Sequence, residues 1–460
     1  MWQSAVVSSS AFVKALAAFL GPRSNQAMFA RILVRTKKIL NDGLQLSKVD
    51  LWANKCPRCF GPGLNEVKSN PNKPDVIIAM DGNFQQRHYA HASKDRPRDD
   101  QYPVDFLSPS QLNADVTAVE STKAVAVGID PPCSDLHKAA NDTRSGTSWE
   151  KCDDNGLFAG ACQHDAPLLF ANIFQTGEKL YYPVSIVRNI IDDFPSHKFG
   201  ILYDLGCHLE THVRKRGLLD DRIDDLTFGT SVFHSFVHEW SCQVKYNPRL
   251  NPWWGLSDGE GLERLWSFFS QLVSALCVST RLHRLTRLQA QADYYTQNLM
   301  EMTANWLFKR LVYATEVVRS STSELSKLHA KENRFTPGQN YTNEFFEEQW
   351  RMEQEYHCRT NLTVKKQKIE LGKLLCLKEA LDTAWRNVVL TPEQALARAT
   401  ACATLTRKIA DLRALVGDKL LTAVSGIETV EEQELLMKIW YNKTELRQKF
   451  LALLQEKQPL

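Results

Sequence analysis

The sequence contains no run of about 18 apolar residues, so nothing in it reads as a membrane-spanning helix. It also lacks a strong charge of either sign. A net charge of +3 over 460 residues gives no bulk attraction for nucleic acid, so any such contact has to rest on local basic patches. Acidic residues are missing before Asp42, while Lys14, Arg23, Arg31, Arg35, Lys37 and Lys38 stand among serines and alanines. That stretch reads as an amphipathic helical lead-in, with AFVKALAAFL and MFARILVRTKKIL as two helices. A mitochondrial transit peptide would share its composition. Eleven cysteines, an odd number in a chain of this length, do not fit a secreted disulfide scaffold. No Cys, His and acid pattern of a thiol nucleophile stands out.

What is present sorts into three regions. Residues 1–55 are helical in pattern and end at CPRCFGPG. Residues 56–300 mix short apolar runs with loops rich in Pro, Gly, Asp and Asn, and hold most of the histidines. Residues 301–460 are almost wholly helical. There TPEQ offers Thr391 as N-cap, Pro392 in the first turn and Gln394 to close a capping box, and TVEE at 429–432 repeats the logic. Ala399, Cys402, Leu405, Ile409 and Leu412 then trace one apolar face. This region reads as a helical bundle or antiparallel coiled coil.

In the middle region DVIIAMD (75–81) and FGILYDLG (199–206) share one format, a β-branched or apolar run, an aspartate, then glycine. Both predict buried strands that deliver a carboxylate to a sheet edge, where ligands bind in α/β architectures. SDGEGLERLWS (257–267) adds Asp258, Glu260 and Glu263. The last two can share one side of a helix, with Leu262, Leu265, Trp266 and Phe269 on its buried face. Asp81, Asp204 and one helical glutamate form the kind of oxygen-only set that holds two divalent cations about 4 Å apart for in-line phosphoryl transfer. Such donors favour Mg²⁺ or Mn²⁺ over zinc. The plain alternative is that the aspartates start turns and the glutamates favour a helix N-terminus, Asp258 being the natural cap.

Cysteine and histidine suggest structural zinc. Cys56 and Cys59 form a knuckle, and FHSFVHEWSC places His234, His238 and Cys242 on one helical face, so knuckle and helix together predict one four-coordinate site. Cys133, His137, Cys152, Cys162 and His164 predict a second. VRKR (213–216) and RLHRLTR (281–287), with Arg281, Arg284 and Arg287 on neighbouring turns, are candidate phosphate contacts or solvated faces. Trp253 and Trp254 suit base stacking or a core.

IAMDGNFQQRHYA, CSDLHKAANDTRSG, WEKCDDNGLF, ACQHD, YDLGC, FHSFVHEWSCQVKYNPR and GLSDGEGLERLWS follow one another in this chain. In that order they resemble the Kyakuja–Dileera–Zisupton (KDZ) transposases, DNA transposases of eukaryotes and abundant in fungi. The resemblance is dense over residues 56–300 and loose beyond. It implies an RNase H-like α/β core, a mixed sheet with flanking helices, followed by the all-α domain. A Cys/His-rich insertion at about 95–195 would interrupt that core. It also implies a DDE enzyme in which Asp81, Asp204 and Glu263 hold Mg²⁺ or Mn²⁺, with Glu260 as the alternative third ligand. Double-stranded transposon ends and target DNA would be the partners, a homo-oligomer the assembly and the nucleus the compartment. Family members often carry a longer N-terminus with a cysteine-cluster module, which these residues do not supply. A catalytically inactive, domesticated DNA-binding or scaffold protein is the rival reading.

Overall fold

The computed structural model describes residues 39, 43–61, 68, 70–122, 133, 151–236, 238–359, 362–388, 391–416 and 430–456. The two proposed N-terminal helices, His137 and Thr429 lie outside the described residues. The chain divides into two compact units, residues 1–350 and 351–460.

In the first unit, α1 (Lys48–Lys55) starts at a capping box in which Ser47 and Asp50 satisfy each other's backbone N–H. The one-turn α2 (Pro57–Phe60) carries the knuckle. Trp52 and Phe60 close on Phe194, at ring separations of 6.3 and 5.1 Å, and tie this segment to the core. The apolar run at 75–81 forms β1 (Val76–Asn83), and the short β2 (His88–Tyr89) follows. Ser108 caps α3 (Pro109–Ser121). Then come β3 (Cys152–Cys162), β4 (Pro167–Phe174), α4 (Tyr181–Ile191), β5 (Phe199–Tyr203), α5 (Gly206–Arg216) and β6 (Leu226–Gly229).

These strands make one mixed sheet in the order β2-β3-β1-β5-β6, with β4 also paired to β3. β1, β3 and β4 form an antiparallel ribbon, and β5 and β6 continue it in parallel with β1. Residues 152–191 are therefore sheet and packed helix, not part of an insertion, which corrects the 95–195 boundary. β3 was hard to recognise because CDDNGLFAGAC opens with polar residues and holds two glycines. Its burial comes from neighbours on both sides, not from its own hydrophobicity.

Both faces of the sheet are covered. Val76, Ile78, Met80, Phe158, Ile201 and Tyr203 join one core with side chains of α4 and α5. After β6 come α6 (Val232–Ser235) and α7 (Trp240–Tyr246), whose Cys242 and Tyr246 join that same core, while α8 (Gly261–Phe269), α9 (Val273–Leu276) and α10 (Arg281–Glu301) lie on the other face. Leu262, Leu265, Trp266 and Phe269 of α8 cover Leu157, Ala159 and Ala161, as the helical spacing predicts. Each of these large side chains contributes about 1.5–3 kcal/mol by leaving water. Trp254 is core and packs over Ile77, Ala79 and Leu202, while Trp253 is exposed. Glycine is required under that indole, because a Cβ on Gly200 would stand 2.8 Å from Trp254 Cζ3. The unit continues into α11 (Thr303–His329).

The helix α12 (Asn343–Arg359) spans the division between the units. The second unit is a helical bundle of α13 (Leu362–Arg386), α14 (Pro392–Val416) and α15 (Val430–Glu456), with α13 packed on both others. Thr391 Oγ1 accepts the Gln394 N–H at 3.3 Å as the capping pattern requires. Cys402, Ile409 and Leu412 are the buried positions of the expected apolar face.

Candidate catalytic and metal sites

Strand register brings the two aspartates together. Met80 of β1 lies opposite Tyr203 of β5 in a parallel pair, so the next residue on each chain is an aspartate at the same sheet edge. Trp266 Nε1 donates to Asp81 Oδ2 at 2.7 Å. Burial, and then the charges of Asp204, Glu178 and Glu263, push the Asp81 carboxyl well above the usual carboxylate range against the pull of that indole. Asp204 accepts from Ser231 Oγ and lies 3.0 Å from His234 Nδ1. Burial opposes charge on His234, but the bond to Asp204 and the charges of Asp204, Glu260 and Asp81 outweigh it and lift its pKa to about 9. At neutral pH His234 is therefore an imidazolium.

The two glutamates of α8 part ways. Glu260 is the N-cap residue, and its Oε1 accepts the Phe233 N–H at 3.1 Å. Glu263 sits exposed in the first turn, and its charge is one of those acting on Asp81. Asp258 serves the turn before the helix, accepting the Glu260 N–H at 3.0 Å and pairing with Arg264.

One carboxylate at this edge carried no sequence signal. Glu178, half-buried between β4 and α4, accepts from Tyr203 Oη at 2.7 Å. Its carboxyl carbon lies 3.0 Å from where a Cβ on Gly82 would stand. Glu178 thus packs against the residue after Asp81 and the residue before Asp204. Burial raises its pKa and the charge of Asp204 adds to that, against the Tyr203 bond, reaching about 7. An isolated Glu in a loop has no periodicity to reveal it. Trp266, Tyr203 and Ser231 were equally unmarked as partners of the carboxylates.

The cysteines and histidines gather into two sets whose donor atoms all lie within 4.8 Å of one another, but not as the sequence suggested. Cys56 and Cys59 join Cys162 and His164, and Cys133 joins Cys207, His238 and Cys242. The proposed His234–His238–Cys242 helical face does not form. α6 ends at Ser235 and α7 begins at Trp240, and the break sends His234 to Asp204 and His238 to the cysteines. Cys152 lies buried on β3 in neither set. Cys207, at the start of α5, is a member that the sequence reading passed over.

Both sets fit a tetrahedral metal. His164 Nδ1 lies 3.6 and 3.1 Å from the Cys56 and Cys59 sulfurs. His238 Nδ1 lies 3.2, 3.6 and 3.4 Å from those of Cys133, Cys207 and Cys242. Zinc with ordinary Zn–S and Zn–N bonds would set such edges at about 3.6 Å. In each set hydrogen bonds from neighbouring thiols hold one sulfur far below its usual pKa, Cys56 by Cys162 and Cys59, Cys133 by Cys207 and Cys242. His238 Nε2 donates to the Asp204 carbonyl at 2.9 Å while Nδ1 faces the sulfurs, and such a carbonyl is a usual outer partner of a metal-bound imidazole.

The basic stretch 281–287 is not a phosphate surface. Arg281, Arg284 and Arg287 are all buried. Arg281 pairs with Asp153 at 2.7 Å, which also holds His88 Nδ1 at 2.6 Å. Arg284, 1% exposed, donates to Asn172 Oδ1 and Gln86 O, each at 2.6 Å, and faces Asp154 at 3.5 Å. These cations already occupy the His88, Asp153 and Asp154 cluster, so it needs no metal. They pin α10 to the β2–β3 edge. Arg284→Met is expected to lose about 3–5 kcal/mol of stability, because it leaves Asp154 buried without its counter-charge. Urea unfolding would measure this, and a loss under about 1 kcal/mol would contradict the assignment. In VRKR, Val213 is core, Arg214 pairs with Glu210 and Arg216 donates to the Val119 and Thr122 carbonyls.

Residues 74–295 match the family model described as KDZ: Kyakuja-Dileera-Zisupton transposase. No curated protein and no solved structure is matched by the chain.

Proposed function

We propose that the chain, whose residues 74–295 match the KDZ transposase family, is a DDE-type enzyme that cuts and joins DNA strands at transposon ends. The observation that carries the reading is the parallel β1–β5 register, which sets Asp81 and Asp204 side by side with Glu263 acting on Asp81. The antiparallel ribbon continued by parallel strands supports an RNase H-like core. Glu263 is the better third ligand, because Glu260 is engaged by the Phe233 N–H. Mutually repelling carboxylates suit a hard divalent cation. Mg²⁺ or Mn²⁺ held by Asp81, Asp204 and Glu263 would acidify the attacking hydroxyl and stabilise the leaving oxygen.

The protein's own part is positioning. Trp266 fixes the Asp81 carboxylate, and Ser231 with the His234 imidazolium fixes that of Asp204. Water attacks the phosphodiester at the element's end and leaves a 3′-hydroxyl there. That hydroxyl then attacks a target-strand phosphorus and displaces the target's own 3′ oxygen. The sulfur sets are structural zinc sites in this reading, and the work is done in the nucleus on double-stranded DNA.

The test is incubation with Mn²⁺ or Mg²⁺ and labelled duplex from the ends of the encoding element. Cleavage is expected, and none by the wild type would leave the inactive DNA-binding reading in its place. Glu178 enters as an outer partner of the same edge. Glu178→Gln keeps an acceptor for Tyr203 but removes the charge beside Asp81. Its Mg²⁺ requirement for cleavage is expected to shift by about 10- to 100-fold, and an unchanged Mg²⁺ titration would exclude that role.

A further inference from the structure

The helix α11 is 27 residues long, and none of its side chains is buried. At 1.5 Å per residue it projects about 40 Å. Helices gain most of their stability from a covered apolar face, so such an element calls for a partner. One row of mostly apolar positions runs the length of the helix, with Phe308, Val312 and Tyr313 exposed outside it. Ala304, Leu307, Leu311, Ala314, Val318, Ser321, Leu325 and Leu328 alternate by three and four residues, the seam of a coiled coil. Leu307, Leu311, Val318, Leu325 and Leu328 are between 36% and 66% exposed. The helix is held through Trp306, outside the seam, which meets the His164 ring at 5.4 Å and the Arg58 guanidinium at 4.8 Å. That attachment leaves the seam free.

We propose that α11 pairs antiparallel with α11 of a second copy of this chain. Side-chain size decides the direction. A parallel pair would stack Ala304 on Ala304, Ala314 on Ala314 and Ser321 on Ser321, leaving three poorly filled layers. In the antiparallel register Ala304 meets Leu328, Leu307 meets Leu325, Leu311 meets Ser321 and Ala314 meets Val318, so no layer pairs two small residues. Charge agrees. Arg310 and Glu324 immediately precede the seam residues Leu311 and Leu325, and in this register Arg310 flanks Glu324 of the second copy, twice by symmetry. In the parallel register Arg310 would instead face Thr315. Arg310 now lies over the Trp306 ring at 5.3 Å, and Glu324 pairs with Lys327 on its own exposed turn, so both are available. The pairing goes beyond the proposed chemistry and needs neither DNA nor the carboxylate metals.

Sedimentation velocity and light scattering of the full chain across micromolar concentrations test it. The wild type is expected to be a dimer, and Leu311→Lys or Leu325→Lys to be monomers with unchanged thermal unfolding of the folded units, since both positions face solvent in the single chain. Arg310→Glu is expected to weaken the dimer by at least about tenfold, because like charges then meet at both ends. Arg310→Glu combined with Glu324→Arg is expected to restore it. A monomeric wild type, a dimer indifferent to Leu311→Lys, or a charge reversal not rescued by the double exchange would each overturn the proposal. None of these readouts depends on cleavage, so failure here is distinct from failure of the DDE assignment.

Discussion

Asp204→Asn is expected to abolish DNA cleavage while leaving the fold intact. Several kcal/mol of transition-state charge stabilisation are at stake when a metal-holding carboxylate becomes an amide, which corresponds to a rate loss of about a thousandfold or more. The fold should survive because Asp204 follows β5 and lies outside the buried apolar run. Asn keeps an oxygen for Ser231, while the His234 imidazolium loses its counter-charge. The pH behaviour of that histidine gives a second readout. Its folded pKa of about 9 lies above the ordinary value, so the pair adds stability below about pH 6.5 and loses it as pH rises through about 9. In Asp204→Asn that high-pH decline should flatten, as pH-dependent unfolding would record. Cleavage at wild-type rate by the variant would refute the site, whereas loss of rate with a lowered melting temperature would show only damage.

Removing zinc is expected to have the larger effect on the fold. The purified chain should hold two equivalents by atomic spectroscopy, and Cys242→Ser should hold one. Structural zinc contributes on the order of 10 kcal/mol to folding in small domains, and two features concentrate that effect near Asp204. Cys207 lies in the first turn after it, and His238 binds its carbonyl. Cys242→Ser should therefore unfold the β5–α5 corner and lose cleavage together. Cys56→Ser should release α1 and α2 from the end of β3 and leave the carboxylate edge more nearly intact. Finding less than one equivalent of zinc in the wild type would remove both sites, and normal cleavage by a zinc-free Cys242→Ser would separate the second site from Asp204.

The misread features have a common physical origin. Cys56, Cys59 and His164 meet only because α2 packs against the loop after β3. His234 and His238 part because the chain between α6 and α7 breaks the helical spacing. Arg281, Arg284 and Arg287 look like a cationic surface until α10 is laid on the sheet, where Asp153 and Asp154 of the unrecognised β3 meet the first two. Each error lies in pairings distant along the chain, for which local spacing carries no information.

What the residue order determined by itself was local and chemical. The apolar runs at 75–81 and 199–203 had to be buried strands, the apolar face of α8 had to find a core, and Thr391 had to cap a helix. The aspartates at the strand ends followed from those runs alone. Tertiary structure decided the partners. Parallel register placed Asp81 beside Asp204, the β4–α4 connection brought in Glu178, and long-range closure chose which cysteines share a histidine. Periodicity can say which face of an element leaves water, but the identity of its neighbour depends on how all the elements close together.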